Sequence, residues 1–166
     1  IEDYSKVIEL NSKNEVAYIH RGLLKKELKD YKGAIEDYTK AIELDPKNEN
    51  AYLYRGSIKG DSGDYKGAFD DFSKVIENNP ENQDAYLNRG LAKYYLRNYQ
   101  SALDDCKKAI ELDPKNENAY FYRGSIKGDS GDYEGAFEDF SKGLQVSTKM
   151  MGMSTSAAKN LSGELA

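Results

Sequence analysis

The sequence predicts an all-α solenoid built of stacked antiparallel helix pairs, and three observations predict it. Prolines fall at positions 46, 80 and 114, two steps of 34 residues. The pair Arg-Gly recurs at the same step, beginning at residues 21, 55, 89 and 123. A hydrophobic content of 39% is low for one compact sphere, whereas thin stacked layers need less core.

Each period contains two predicted helices. In the second period, apolar and small residues recur at helical spacing in two stripes, 51–59 and 65–76, separated by the turn at 61–64. Each proline ends the second helix of its period, because proline lacks an N–H and cannot continue a helix. A helix pair this short cannot bury its apolar side alone, so it must stack on its neighbours.

The elements follow in order along the chain. Residues 1–14 match the second half of a period, and four full repeats follow at 15–48, 49–82, 83–116 and 117–150. The pattern fails after Lys142, where Gly143 replaces a larger residue and Thr148 stands in place of the proline, so the last helix is expected to run on.

Residues 151–166 have two interpretations. Ala157, Ala158, Leu161 and Leu165 share one helical face, as expected of a short helix that caps the solenoid. The alternative is a segment that docks on a neighbouring molecule.

The repeat resembles the tetratricopeptide repeat over residues 1 to 146. The family pattern of spaced aromatic, Gly, Ala and Pro residues is met in the second repeat by Tyr52, Gly56, Ala68, Phe72 and Pro80. The resemblance implies a right-handed solenoid, with residues 1–150 as one tetratricopeptide repeat domain. Two departures are systematic: Arg21, Arg55, Arg89 and Arg123 replace a leucine, and Lys25, Lys59, Lys93 and Lys127 replace a tyrosine.

The recurring arginines are expected to pair with an equally regular aspartate of the second helix, at residues 37, 71, 105 and 139. On this hypothesis Arg55→Ala destabilises the fold by leaving Asp71 uncompensated, whereas Arg55→Leu is tolerated. The lysines are expected to lay their stems along the core edge and to keep the ammonium in water.

The resemblance also implies where a ligand lies, because first helices of the family line the concave side of the solenoid and hold peptides there. The implied contact residues are Asn50, Leu53, Tyr54, Asp84, Leu87, Asn88, Leu91, Tyr94, Tyr95, Asn118, Phe121 and Tyr122. Tyr54, Tyr94, Tyr95, Tyr122 and Phe121 are the aromatic residues outside the repeated packing positions. Tyrosine supplies contact area with a polar tip, although packing against neighbouring first helices would also explain these side chains.

Charge and side-chain type narrow the expected partner to a protein or peptide. Asn50, Asn88 and Asn118 can donate to and accept from a peptide backbone. Lys26 is outnumbered on the implied surface by Glu27, Asp61, Asp84 and Asp129, a balance of 1 − 4 = −3, so a neutral or basic partner is expected. The clamp of Lys, Asn and Arg by which chaperone co-factors hold a C-terminal carboxylate is not expected, since only Asn88 matches it.

Other functions are disfavoured by composition. A net charge of −5 does not suit nucleic acid or an anionic membrane surface, and no apolar run is long enough to span a bilayer. One cysteine, Cys106, and one histidine, His20, cannot form a Cys/His metal cluster. No catalytic constellation or phosphate loop is present, so neither an enzyme nor a bound cofactor is expected. The sequence does not assign a compartment.

Two functions remain. The first is a protein-interaction scaffold that holds a peptide in the groove. The second is a structural module that self-associates through its open repeat ends, its terminal helices and its C-terminal tail. The sequence also contains a longer repeat of 68 residues. Residues 41–74 and 109–142 differ only at Leu53/Phe121, Lys66/Glu134 and Asp70/Glu138. The second and fourth repeats therefore display nearly the same surface.

Overall fold

The structure is a computed structural model that describes residues 1–150, except for the side chain of Met150. Its described residues are helical with short connections. The helices are α1 (Glu2–Leu10), α2 (Glu15–Glu27), α3 (Tyr31–Leu44), α4 (Glu49–Asp61), α5 (Tyr65–Asn78), α6 (Gln83–Tyr95), α7 (Tyr99–Leu112), α8 (Glu117–Asp129) and α9 (Tyr133–Met150). The interpretations of residues 151–166 fall outside the described residues.

The chain forms two compact units, Ile1–Ala85 and Tyr86–Ala166. In the first unit α2 packs on α3 and α4 packs on α5, and α3 also contacts α4. In the second unit α8 packs on α9 and also contacts α7. The predicted pairing of helices within a repeat, and the stacking of one repeat on the next, are therefore present in both units.

Side-chain caps fix where the helices begin. The oxygens of Asn14, Asn48 and Asn116 accept hydrogen bonds from backbone N–H groups in the first turns of α2, α4 and α8, at 3.0–3.3 Å. The carboxylates of Asp30, Asp64 and Asp132 do the same for α3, α5 and α9. Each proline lies two residues after the end of α3, α5 or α7, as predicted. Helix α9 runs on to 18 residues, four more than α5.

The Arg-Gly pair has a steric role as well as an electrostatic one. A Cβ at Gly22 would lie 2.7 Å from the ring of Tyr38, and a Cβ at Gly124 would lie 2.8 Å from the ring of Phe140. Glycine therefore lets the two helices of a repeat approach until an aromatic ring of the second helix fills the space above the first. The core contains the ring of Tyr38 or Phe72 together with alanines and Ile58 or Ile126, whereas Phe140 is 37% exposed.

Candidate functional site

The implied contact residues lie on the first helices of the repeats. In the first unit, α4 presents Asn50 as an exposed side chain and Tyr54 as a half-buried one. The Tyr54 ring packs at 5.6 Å, centroid to centroid, from the ring of Tyr38 on α3. No described residue forms a hydrogen bond with the Tyr54 hydroxyl. Packing on α3 thus holds the Tyr54 ring in place.

In the second unit, α8 repeats this arrangement. Asn118 is exposed, and Tyr122 is half-buried against the core that contains Cys106. The hydroxyl of Ser125 donates to the backbone carbonyl of Phe121 at 3.0 Å, as the hydroxyl of Ser57 does to that of Leu53 at 2.9 Å in α4. Asp61 and Asp129, at the ends of the two helices, are both exposed.

Three of the implied contact residues, at one repeated position, take part in packing to different degrees. Leu87 is 6% exposed and lies in the core of the second unit, although the resemblance implied that it lines the groove. Phe121 is half-buried, with its ring 6.4 Å from that of Phe140 and above Gly143 of α9. Leu53 packs on the cluster that contains Val75. Ile19, at the same place in the first repeat, is 9% exposed, so this position chiefly joins the two helices of a repeat.

An aromatic cluster marks the end of α6. The ring of Tyr94 contacts those of Tyr95 and Tyr99, at 5.2 and 5.8 Å between centroids. Its hydroxyl donates a hydrogen bond to Asp129 of α8, which raises the pKa of Tyr94 because the phenolate would face the carboxylate. Tyr95 remains 49% exposed. Sequence analysis missed Arg97, which donates to the Tyr99 hydroxyl at 2.7 Å and adds a cation to this cluster.

The remaining contact residues of α6 are spread over its length. Asn88 and Leu91 are half-buried, and Asp84 is exposed. No described residue forms a hydrogen bond or an ion pair with the side chain of Asn88 or of Asp84.

The predicted arginine–aspartate pairs are confirmed in all four repeats. Each arginine Nε donates to the aspartate Oδ2 at 2.8–2.9 Å, and Nη2 donates to Oδ1 of the same carboxylate. Each guanidinium also lies 5.5–5.8 Å from the ring centroid of the tyrosine three residues earlier. The aspartates are only 3–5% exposed, so the fork of two hydrogen bonds is made in a protected site.

The expectation for the recurring lysines is wrong. Lys25, Lys59, Lys93 and Lys127 place Nζ 2.7–3.0 Å from Oδ2 of the same aspartates, and their side chains are 12–22% exposed. Each carboxylate therefore holds two cations. The spacing could have shown it, since the arginine and the lysine are four residues apart and so share one side of the first helix.

Comparison with known proteins identifies the family. A tetratricopeptide repeat model matches residues 16–48 and 84–116, and a second tetratricopeptide repeat model matches residues 106–138. The chain belongs to the tetratricopeptide repeat (TPR) family. No match was found among curated protein sequences.

Several solved TPR structures are similar to this one. A crystal structure of MamA is 25% identical, covers 90% of this chain and 87% of its own, and superposes with a TM-score of 0.84. The first TPR domain of Spaghetti (RPAP3), bound to the HSP90 peptide SRMEEVD, is 25% identical with a TM-score of 0.69, over 73% of this chain and 96% of its own. The TPR domain of Arabidopsis OM64 is 26% identical and superposes with a TM-score of 0.66, covering 69% of this chain and 94% of its own. The all-α TPR solenoid fold predicted from the sequence is confirmed.

TPR proteins are generally non-enzymatic interaction scaffolds, and no catalytic family matches this chain. Burial raises the pKa of the Cys106 thiol to about 12, so it stays protonated and packs as a small core residue. The His20 ring stacks on Tyr4 at 5.4 Å. Within residues 1–150, no three side chains of the metal-binding types are grouped, and no helix is long and apolar enough to cross a membrane.

Proposed function

We propose that this TPR chain holds a linear peptide segment of a partner protein on the exposed sides of its first helices. Tyr54 and Asn50 act in the first unit, and Tyr122 and Asn118 act in the second, where Asn88 and Tyr95 of α6 add contacts. The observation that supports the proposal best is how the rings and hydroxyls of Tyr54 and Tyr122 are held. Each ring is anchored by packing, and each hydroxyl is left without a described partner, as in a preorganised recognition residue.

The expected partner segment is neutral or basic. Glu27, Asp61 and Asp84 are exposed acidic side chains on the first helices, and no described residue forms an ion pair with any of them. The peptide bound to Spaghetti (RPAP3), SRMEEVD, carries three acidic residues and one basic residue. A peptide of that charge would be repelled here, so this chain is expected to select a different segment.

Affinity capture tests the proposal. The Tyr54→Ala/Tyr122→Ala double variant is expected to lose the partner that the wild-type chain captures. The matched control is Tyr31→Ala, which removes a tyrosine that is 45% exposed on α3 and is expected to capture normally. Circular dichroism establishes that the double variant is folded. Unchanged capture by a folded double variant would refute the proposal.

A second function, self-association, is favoured by exposed apolar side chains at both described ends. Leu10 of α1 is 89% exposed, and Tyr133 and Phe137 of α9 are 77% and 57% exposed. Light scattering over a range of concentrations tests it. A mass that stays monomeric throughout would exclude assembly, and a mass that rises with concentration and falls again in Leu10→Asp or Phe137→Asp would support it.

A further inference from the structure

The two units contain the same first helix. The sequence of α4 (Glu49–Asp61) recurs in α8 (Glu117–Asp129) with one difference, Leu53 against Phe121. Helix α4 belongs to the first unit and α8 to the second. Each compact unit therefore presents one copy of the same helix.

The Asn, Tyr and Asp side chains are exposed to a similar degree in both copies, whereas Ser57 is half-buried and Ser125 is exposed. The asparagines at 50 and 118 and the aspartates at 61 and 129 are exposed, and the tyrosines at 54 and 122 are half-buried. Both helices begin with an asparagine cap and end with nearly the same backbone angles, φ −89° at Ser62 and −90° at Ser130. We call these two sets the α4 face (Asn50, Tyr54, Ser57, Asp61) and the α8 face (Asn118, Tyr122, Ser125, Asp129).

None of the three sequence differences alters a member of either face. The ring of Phe121 lies against Phe140 and above Gly143 of α9, so the larger side chain is accommodated inside its own repeat. The other two differences, Lys66/Glu134 and Asp70/Glu138, lie on the second helices α5 and α9. The surface that a ligand would contact is thus unchanged, whereas residues elsewhere in the same repeats differ.

The neighbours of the two faces differ at Asp61 and Asp129. They also differ beneath the tyrosines, where Tyr54 packs on the Tyr38 ring and Tyr122 packs on the core that contains Cys106. Tyr94 of α6 donates a hydrogen bond to Asp129, and the residue 68 positions earlier is Lys26, not a tyrosine. No described residue forms a hydrogen bond or an ion pair with Asp61. The α4 face therefore offers a free carboxylate, and it is expected to hold a basic segment more tightly than the α8 face does.

We propose that each compact unit carries its own copy of one recognition face, so that the chain binds the same short, neutral-to-basic peptide segment twice. This inference rests on the proposed function, since it assumes that the first helices bind peptide. A partner with the segment in tandem would gain avidity, because the second binding event is intramolecular and can raise the overall affinity by about 10²- to 10⁴-fold.

The experiment uses a short linear peptide selected from a random phage-displayed library against the full chain. Calorimetric titration with this peptide is expected to give two peptides bound per chain. Asn50→Lys and Asn118→Lys change exposed side chains without a structural role, so the protein should fold normally. Each is expected to weaken one of the two sites by about tenfold or more, because a lysine there removes the amide and repels a basic segment. Asn78→Lys, at an exposed position of α5, is the matched control and should leave both sites intact.

A tandem peptide joined by Gly/Ser linkers of increasing length provides the second measurement. At the linker length that suits both sites it is expected to bind at least about 10²-fold more tightly than the single peptide, and either Asn→Lys variant should abolish this gain. One peptide per chain, whether its binding is sensitive to one variant or to both, would overturn this inference and leave the proposed function standing. Failure to select any peptide, or binding that survives the Asn50→Lys/Asn118→Lys double variant, would overturn both.

Discussion

Tyr38 is fully buried where α2, α3 and α4 meet, and its hydroxyl has no hydrogen-bond partner among the described residues. Burial raises the pKa of Tyr38, so the hydroxyl stays neutral, but a buried donor without a partner still costs free energy. The equivalent position in the second repeat is Phe72, and in the fourth it is Phe140. The third repeat has Cys106 at this position. Where the position holds a ring, that ring has no need of a hydroxyl.

Tyr38→Phe is expected to leave the free energy of unfolding unchanged or to raise it by about 1 kcal/mol. The reverse variant, Phe72→Tyr, puts a hydroxyl into an equally buried site and is expected to lower it by about 1–3 kcal/mol. Urea unfolding followed by circular dichroism measures both. A clear loss of stability in Tyr38→Phe would mean that a buried water or another group satisfies this hydroxyl.

Asp139 shows how the repeated ion clusters respond to acid. Burial disfavours its charged form, but hydrogen bonds from Arg123 and Lys127 outweigh that cost and hold the pKa of Asp139 below its usual value. The unfolded chain then takes up this proton at a higher pH than the folded chain does. The stabilisation is present above about pH 4, the range of an ordinary aspartate, and is lost as the pH falls through the lowered value.

We therefore expect the free energy of unfolding to fall more steeply below about pH 4 in the wild type than in Asp139→Asn, which cannot titrate at this site. Urea titrations at a series of pH values give the two slopes. Because the variant also weakens the ion cluster at neutral pH, the comparison concerns the slope and not the absolute stability. Parallel pH curves would show that Asp139 does not contribute to acid unfolding.

At the scale of the helix, one pair of substitutions is complementary. In the second repeat Leu53 of α4 packs on the cluster that contains Val75 of α5, whereas in the fourth Phe121 of α8 lies above Gly143 of α9. A larger residue on the first helix is thus matched by a smaller one on the second. A Cβ at Gly143 would come within 3.1 Å of the Phe121 ring, a contact that requires the ring to move.

Gly143→Val is consequently expected to destabilise the wild type by about 1–3 kcal/mol through overpacking. In the Phe121→Leu background the same change restores the combination found at 53 and 75, and it should be neutral or stabilising since a mid-helix glycine is removed. A double-mutant cycle measured by urea unfolding gives the coupling energy. Additive effects would show that the two positions do not compete for the same space.

The sequence predicts the helices and their repeated contacts, but it does not predict how closely neighbouring helices pack. The 34-residue period predicts the helix pairs, the ends at proline and the Arg–Asp pairs, because each depends on residues that recur in register. It does not predict that Leu87 is buried while Asn88 beside it is half-exposed, since that depends on how closely two helices approach. The sequence does not predict the coupling of Phe121 to Gly143 for the same reason. Each substitution can be read from the sequence, but only the structure shows that the smaller residue at 143 leaves room for the larger one at 121.

At the scale of the whole molecule, the second and fourth repeats are nearly identical, but the repeats that precede them make different contacts with them. In the first unit Arg21 and Arg55 each donate through Nη1 to a hydroxyl of the preceding repeat, Ser5 Oγ at 3.1 Å and Thr39 Oγ1 at 3.0 Å. The residue in that position before Arg123 is Lys107, which is exposed and offers no acceptor. Cys106 also replaces the ring that Tyr38 places under Tyr54. The contact between α7 and α8 therefore lacks two interactions that the contact between α3 and α4 makes.

Because a repeat protein derives its stability from interfaces between neighbours, a weaker interface should open locally. We expect the amides of α8 to exchange with solvent faster than those of α4, although the two helices differ at one residue. Lys107→Thr restores a hydroxyl within reach of Arg123 and is expected to slow exchange in α8 by about three- to tenfold, the effect of one hydrogen bond. Thr39→Lys is the matched reverse change and should speed exchange in α4. Hydrogen exchange with mass spectrometry can tell peptides of the two helices apart, because Leu53 and Phe121 differ in mass. Equal exchange rates in wild-type α4 and α8 would show that the two interfaces are equally stable.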